Sequence, residues 1–235
     1  SYEKFKQGAE FDDYTQLTER VMIGKLAFDK AIIDPLPDKL RYLLTSADGD
    51  GLSIRGMLEN CAQNILAAKW HVVLCDYQGL ASLDITSASM ADVEAANPRA
   101  MFKEYPRESV YHASYSVVNG IKQLSLLVLR EVGVTINQET MTEDEVESFL
   151  ILGLKDGKYY QRKITDASGA TEKDSGEIPV EINGQPVKFI PAYIVADEEI
   201  TSGQLPEQLG FLAPIADICL ARYGVSAKFK AALAK

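Results

Sequence analysis

The chain has 235 residues, 46% hydrophobic and 25% charged, the make-up of a folded globular protein and not of a disordered or collagen-like one. Its formal charge of −10 argues against a general nucleic-acid binder, since an acidic surface repels phosphate backbones. No stretch approaches the roughly 18 to 20 apolar residues that span a bilayer, and Ser1-Tyr2-Glu3-Lys4 does not start a signal-peptide pattern. Cys61, Cys75 and Cys219 are odd in number and widely spaced, which points to a reducing compartment without a disulfide framework. The acidity is polarised: positions 139–199 hold 14 acids and 6 bases, whereas positions 200–235 hold 2 acids and 4 bases.

Along the chain, Leu17, Val21, Leu26, Phe28 and Ile32 recur near a 3.6 period and predict a helix over 11–33. Pro35 and Pro37 close it, because proline removes a donor and pushes the preceding residue out of the α region. A short amphipathic piece over 38–44 leads to the turn cluster Asp48-Gly49-Asp50-Gly51. Ser53 is the expected cap of the next helix, which runs to about Lys69 with Leu52, Met57, Leu58, Cys61, Ile65 and Leu66 as its apolar stripe. Trp70–Cys75 is a short apolar run ending at Asp76-Tyr77, as a buried strand would. Positions 79–98 read as a loop with one helical turn near 90–96.

Three hairpins are expected next. Asn119-Gly120 joins 109–118 to 123–131, Asp156-Gly157 joins 148–155 to 158–165, and Asn183-Gly184 joins 177–183 to 185–196. Both central positions of a type I′ turn need positive φ, which these dipeptides accept. The run Glu143-Asp144-Glu145-Val146-Glu147 reads as a solvated segment or short helical turn. Positions 211–234 return to helix, with Pro214 in the first turn. Its expected apolar face is Leu212, Ile215, Ile218, Cys219, Tyr223, Ala227 and Phe229, and its basic residues complement the helix dipole. The reading is α+β: an N-terminal helical part (1–70), a mostly antiparallel meandering β-rich part built of hairpins (71–210) and a C-terminal helix (211–235), together one compact domain.

Chemistry is harder to find. Neither His71 nor His112 stands at ligand spacing from a cysteine, so no metal site is expected. A calcium loop starting at Asp48 fails, because Leu52 falls at the third ligand position and Ser53 where the turn glycine belongs. There is no Gly-x-Ser-x-Gly elbow and no phosphate-binding glycine loop. The cysteines fall on apolar stripes or strand ends, where they act as small hydrophobes. No catalytic, cofactor-binding or metal-binding residue is expected.

The order of segments resembles a tailed-bacteriophage portal-like structural protein family, a phage family of unknown-function domains regarded as portal proteins. The resemblance is carried by Tyr14–Phe28, Asp48-Gly49-Asp50-Gly51-Leu52-Ser53, and the helix and apolar strand over Ile65–Tyr77. It continues through Pro98-Arg99-Ala100-Met101-Phe102-Lys103-Glu104-Tyr105 with Glu108-Ser109-Val110-Tyr111, and through Leu124–Glu131 with its closing Leu-Arg-Glu. Gly157–Ile164, Phe189-Ile190-Pro191-Ala192-Tyr193-Ile194-Val195 and Leu212–Tyr223 complete it. The chain departs from the family at Asp29–Pro37, which replaces a Gly-rich segment, and at Tyr111-His112, where the family has tryptophan. The family's chains continue beyond the position matching Lys235, so by this resemblance the chain corresponds to the wing-region portion, either as a natural truncation or as a fragment of a longer chain.

The resemblance implies a subunit of a homo-oligomeric ring at one capsid vertex, serving DNA packaging and ejection without catalysis. Its partners would be copies of itself, capsid, terminase and head-completion proteins, with DNA only as a passenger and no membrane. It would be made in the host cytoplasm and reside in the virion. The interface candidates are Arg222, Lys228 and Lys230 on the last helix, meeting Asp197, Glu198 and Glu199 of a neighbour, since head-to-tail contact between unlike patches closes a ring. Two rival readings stand beside it: a cytoplasmic enzyme with a helix–sheet cleft using His112, Tyr111 and a nearby carboxylate for acid/base work, and a monomeric adaptor recruiting a partner strand at the edge 185–195.

Overall fold

A computed structural model describes residues 11–26, 36–78, 99–118, 120–136, 142–166, 173–182, 184–198, 205 and 207–233. The loop expected over 79–98, the end of the first helix over 27–33, and Asn119, Asn183 and Glu199 lie outside the described residues. The fold is α+β with antiparallel sheets. By internal packing the chain divides into two compact units: 1–71 with 195–197 and 207–235, and 72–194 with 198–206.

The first unit is helical. Helix α1 (Tyr14–Leu26) starts where the Asp13 carboxylate accepts from the Gln16 N–H at 2.9 Å. A 3₁₀ helix (Asp38–Leu44) follows Pro37, and the Asp48 carboxylate then accepts from the N–H groups of Asp50 (2.8 Å) and Leu52 (3.0 Å). This turns the chain into α2 (Ile54–Ala68), where Ser53 is the expected cap and its hydroxyl accepts from Gly56 N–H at 3.1 Å. Lys69 ends α2 with φ 75 and donates its N–H to the Ile65 carbonyl. Gly210 lies against this end of α2, where a Cβ would run into the backbone of Leu66 and Ala67, and Leu212 N–H donates to Leu66 O at 3.1 Å. Helix α3 (Ala213–Leu233) then packs on α1: Thr15 Oγ1 lies 3.8 Å from Cys219 Sγ, and Phe11 meets Tyr223 edge-on at 6.0 Å. Leu43, Met57, Cys61, Trp70, Leu212, Cys219 and Ala227 are buried in this unit.

Most strand residues belong to the second unit. Strands β1 (Trp70–Gln78), β2 (Arg99–Pro106) and β11 (Ala192–Ala196) form a three-stranded sheet in the order β11–β1–β2. The larger sheet runs β3 (Val110–Val118), β4 (Ile121–Ile136), β5 (Glu143–Lys155), β6 (Lys158–Asp166) and β7 (Lys173–Asp174), with β8 (Ile178–Pro179) also on β6. Asp156 (φ 52) and Gly157 (φ 71) both take positive φ at the tight β5–β6 turn, as a type I′ turn demands. One face of the sheet buries Leu127, Leu129, Leu152 and Tyr159.

Two expectations are corrected here. The acidic run 143–147 is solvent-facing at Glu143 and Glu145, as expected of a solvated segment, but it is no helical turn: it is the first part of β5, paired residue for residue with positions 136–132 of β4. The third hairpin shrinks to two-residue strands, β9 (Glu181–Ile182) and β10 (Gln185–Pro186), and β11 joins the other sheet. Pro179, Pro186 and Pro191 lack the N–H that longer ladders require.

Candidate functional site

The five interface candidates among the described residues fall in different environments. Arg222 on α3 is engaged within its own chain: its guanidinium lies 2.8 Å from the Asp12 carboxylate, donates to Tyr14 Oη at 2.8 Å and sits over the Tyr14 ring at 5.5 Å. The hydrogen bond to Tyr14 and the Asp12 charge raise its pKa further. Lys228 is exposed near the end of α3 and Lys230 is half-buried. The Asp197 carboxylate lies 4.0 Å from the buried Lys69 ammonium, which also donates to Gln208 Oε1 at 2.9 Å. Glu198 is exposed.

The helices face outward with more than charge. On α1 the exposed positions include Tyr14, Leu17 and Val21, at the 3–4 spacing of one helix face. On α3 the expected apolar face splits: Leu212, Cys219 and Ala227 are buried, whereas Ile218 and Phe229 are exposed together with Leu220 and Val225. The helix is apolar nearly all round, so one side covers the unit's core and the other presents apolar side chains outward. Periodicity found the apolar residues of both helices but not which of them are covered.

In the second unit a polar cluster ties β2 to the larger sheet. Tyr105 Oη donates to Glu131 Oε1 at 2.8 Å and Lys163 Nζ donates to Glu131 Oε2 at 2.6 Å. Lys103 Nζ lies 2.7 Å from Asp76 Oδ2. Burial pushes the Glu131 carboxyl up, but the bonds from Lys163 and Tyr105 and the charges of Lys163 and Lys103 outweigh it, leaving the group below its usual range. Burial, then the Glu131 charge, raises the Tyr105 phenol, and burial pushes Tyr159 up to about 12. Tyr105 therefore remains a donor and Glu131 an ionised acceptor at neutral pH. These residues come from four strands, and no local motif announced them.

The buried His71 Nε2 lies 3.2 Å from the buried Cys61 Sγ, a pairing across ten positions that matches no ligand spacing in the sequence. Burial lowers the His71 pKa and favours the neutral ring. His112 is exposed on β3, opposite Val128. Beside the turn that joins β3 to β4, a cleft of about 400 Å³ is lined by Tyr115, Lys122, Leu124, Phe189, Ile190 and Tyr193, among others, with the Lys122 ammonium 5.6 Å from the centre of the Tyr115 ring. His112 is not part of its wall.

No known protein-family model matches the chain, and no curated protein matches it. No helix among the described residues is long and apolar enough to cross a membrane.

Proposed function

We propose that the chain is a structural subunit of a phage portal or connector ring at the capsid vertex, serving DNA packaging and ejection without performing chemistry. The observation that carries this reading is the outward apolar face of α1 and α3, where Leu17, Val21, Ile218, Val225 and Phe229 are each more than half exposed. A surface of this kind marks an interaction site. The resemblance in segment order supplies the kind of assembly, and the net charge of −10 suits a conduit component, since like charge keeps DNA from adhering. In this reading Lys228 and Lys230 lie toward Asp197, Glu198 and Glu199 of a neighbour, while Arg222 serves its own chain by holding Asp12 and Tyr14. Capsid, terminase and head-completion proteins are the further partners, DNA is a passenger, and the site of action is the virion.

Negative-stain electron microscopy and native mass measurement on the natural full-length chain test the reading. Rings with a central hole are expected; single copies at high concentration and low salt would overturn it. A second reading, the strand-recruiting adaptor, is favoured by one observation: β11 is an edge strand of its sheet, with Tyr193 exposed. Single copies that bind an extended peptide along β11 would favour it.

A further inference from the structure

Strand β4 carries two unlike surfaces at its two ends. At the far end, positions 132–136 pair with 147–143 of β5, but the β3 register stops at Leu129 and the β6 register at Glu147. Among the described residues, this ribbon runs past both neighbouring strands. A two-stranded ribbon is marginal in water by itself. One of its faces shows Val132 and Val134, both exposed, opposite Glu147 and Glu145, and Glu143 is exposed beyond them. At the near end lies the cleft with Tyr115, Lys122 and, across from them, the exposed rings of Phe189 and Tyr193. Its volume, about 400 Å³, is within the range of clefts that hold a bound group. Lys188, exposed beside Phe189 in the chain, adds a second positive charge to this neighbourhood.

We propose that the β4–β5 arm of one copy seats in the Tyr115–Lys122–Tyr193 cleft of a second copy. The valines meet the aromatic rings, and Glu143 and Glu145 approach Lys122. Arm and cleft are complementary in charge and in apolar surface. They cannot serve each other within one chain, because Lys122 and Val134 are twelve positions apart on one strand, on the order of 40 Å at strand rise. A donor surface and a different acceptor surface make a head-to-tail contact, the kind that closes into rings. The inference rests on the ring reading and adds to it a second contact between neighbouring copies.

Two experiments on the natural full-length chain test it. In the first, Tyr193→benzoylphenylalanine chains, half of them isotopically heavy, are irradiated and the adducts mapped. The expected result is cross-links joining light to heavy peptides, with the attachment within 132–136 or 143–147. Rings that give no such link would overturn the arm-in-cleft contact and leave the ring reading standing; single copies without links would overturn both. In the second, Glu143→Lys with Glu145→Lys raises the concentration for half-assembly by about tenfold at low salt, and adding Lys122→Glu to the same chain brings it back to within about threefold. Unchanged assembly in the first variant, or no recovery in the combined one, would overturn the contact.

Discussion

At Gly210 a Cβ has nowhere to go: the obstacle is the backbone of Leu66 and Ala67 at the end of α2, not the tip of a flexible side chain. Gly210→Ala should therefore lower stability by about 1–3 kcal/mol, measured by denaturant unfolding. Gly224 on α3 has nothing within 4 Å of an added Cβ, so Gly224→Ala should raise stability by up to about 1 kcal/mol through helix propensity. His71 gives a prediction in pH. Its folded pKa is lowered by burial, so below the ordinary value of 6.5 the unfolded chain binds more protons than the folded one. Stability present above pH 6.5 should decline as the pH falls toward the folded value, and His71→Leu should remove that slope from a urea series. Ser53 as a cap and Asp156-Gly157 as a turn were legible because each acts on its own backbone neighbours. The Cys61–His71 pair was not, because a helix residue and a strand residue ten positions apart meet only through packing.

Among the elements, the clearest dependence is that of β2 on β4 through Tyr105, Glu131 and Lys163. Tyr105→Phe removes one bond from Glu131 and should cost about 1 kcal/mol. Glu131→Leu should cost more, since it leaves both Tyr105 and Lys163 without the carboxylate. The Glu131 pKa is depressed, so its contribution is complete above the ordinary value of 4.5 and is lost as the pH falls below it. The difference between wild type and Glu131→Gln should accordingly narrow in acid, in the same unfolding assay. The acidic start of β5 was illegible for an element-level reason. Glu and Asp have low strand propensity, and the conformation of 143–147 follows from its pairing with the β-branched 132–136 segment.

For the molecule as a whole, the α+β class and the antiparallel order follow from hairpin dipeptides and helix periodicity, which sequence carries well. Exposure does not. The stripe on α1 reads the same in sequence whether a core or a partner covers it, and the same holds for Ile218 and Phe229 on α3. Arg222 joined that ambiguity, since its partner Asp12 lies about 210 positions away. Arg222→Glu is expected to loosen α1 from α3, seen as faster hydrogen exchange over 14–26, whereas Lys228→Glu should leave that exchange unchanged and act only on assembly at low salt. The length of β4 has a mechanical consequence as well. Its pairings to β3 and β5 overlap over 126–129, and its two ends, 121–124 paired with β3 and 130–136 paired with β5, lie on opposite sides of that stretch. Tension applied between the ends would therefore be carried along the strand axis, loading the crosswise hydrogen bonds together in shear. A strand held this way slides only when many bonds fail at once, so β4 is placed to act as a tie rod.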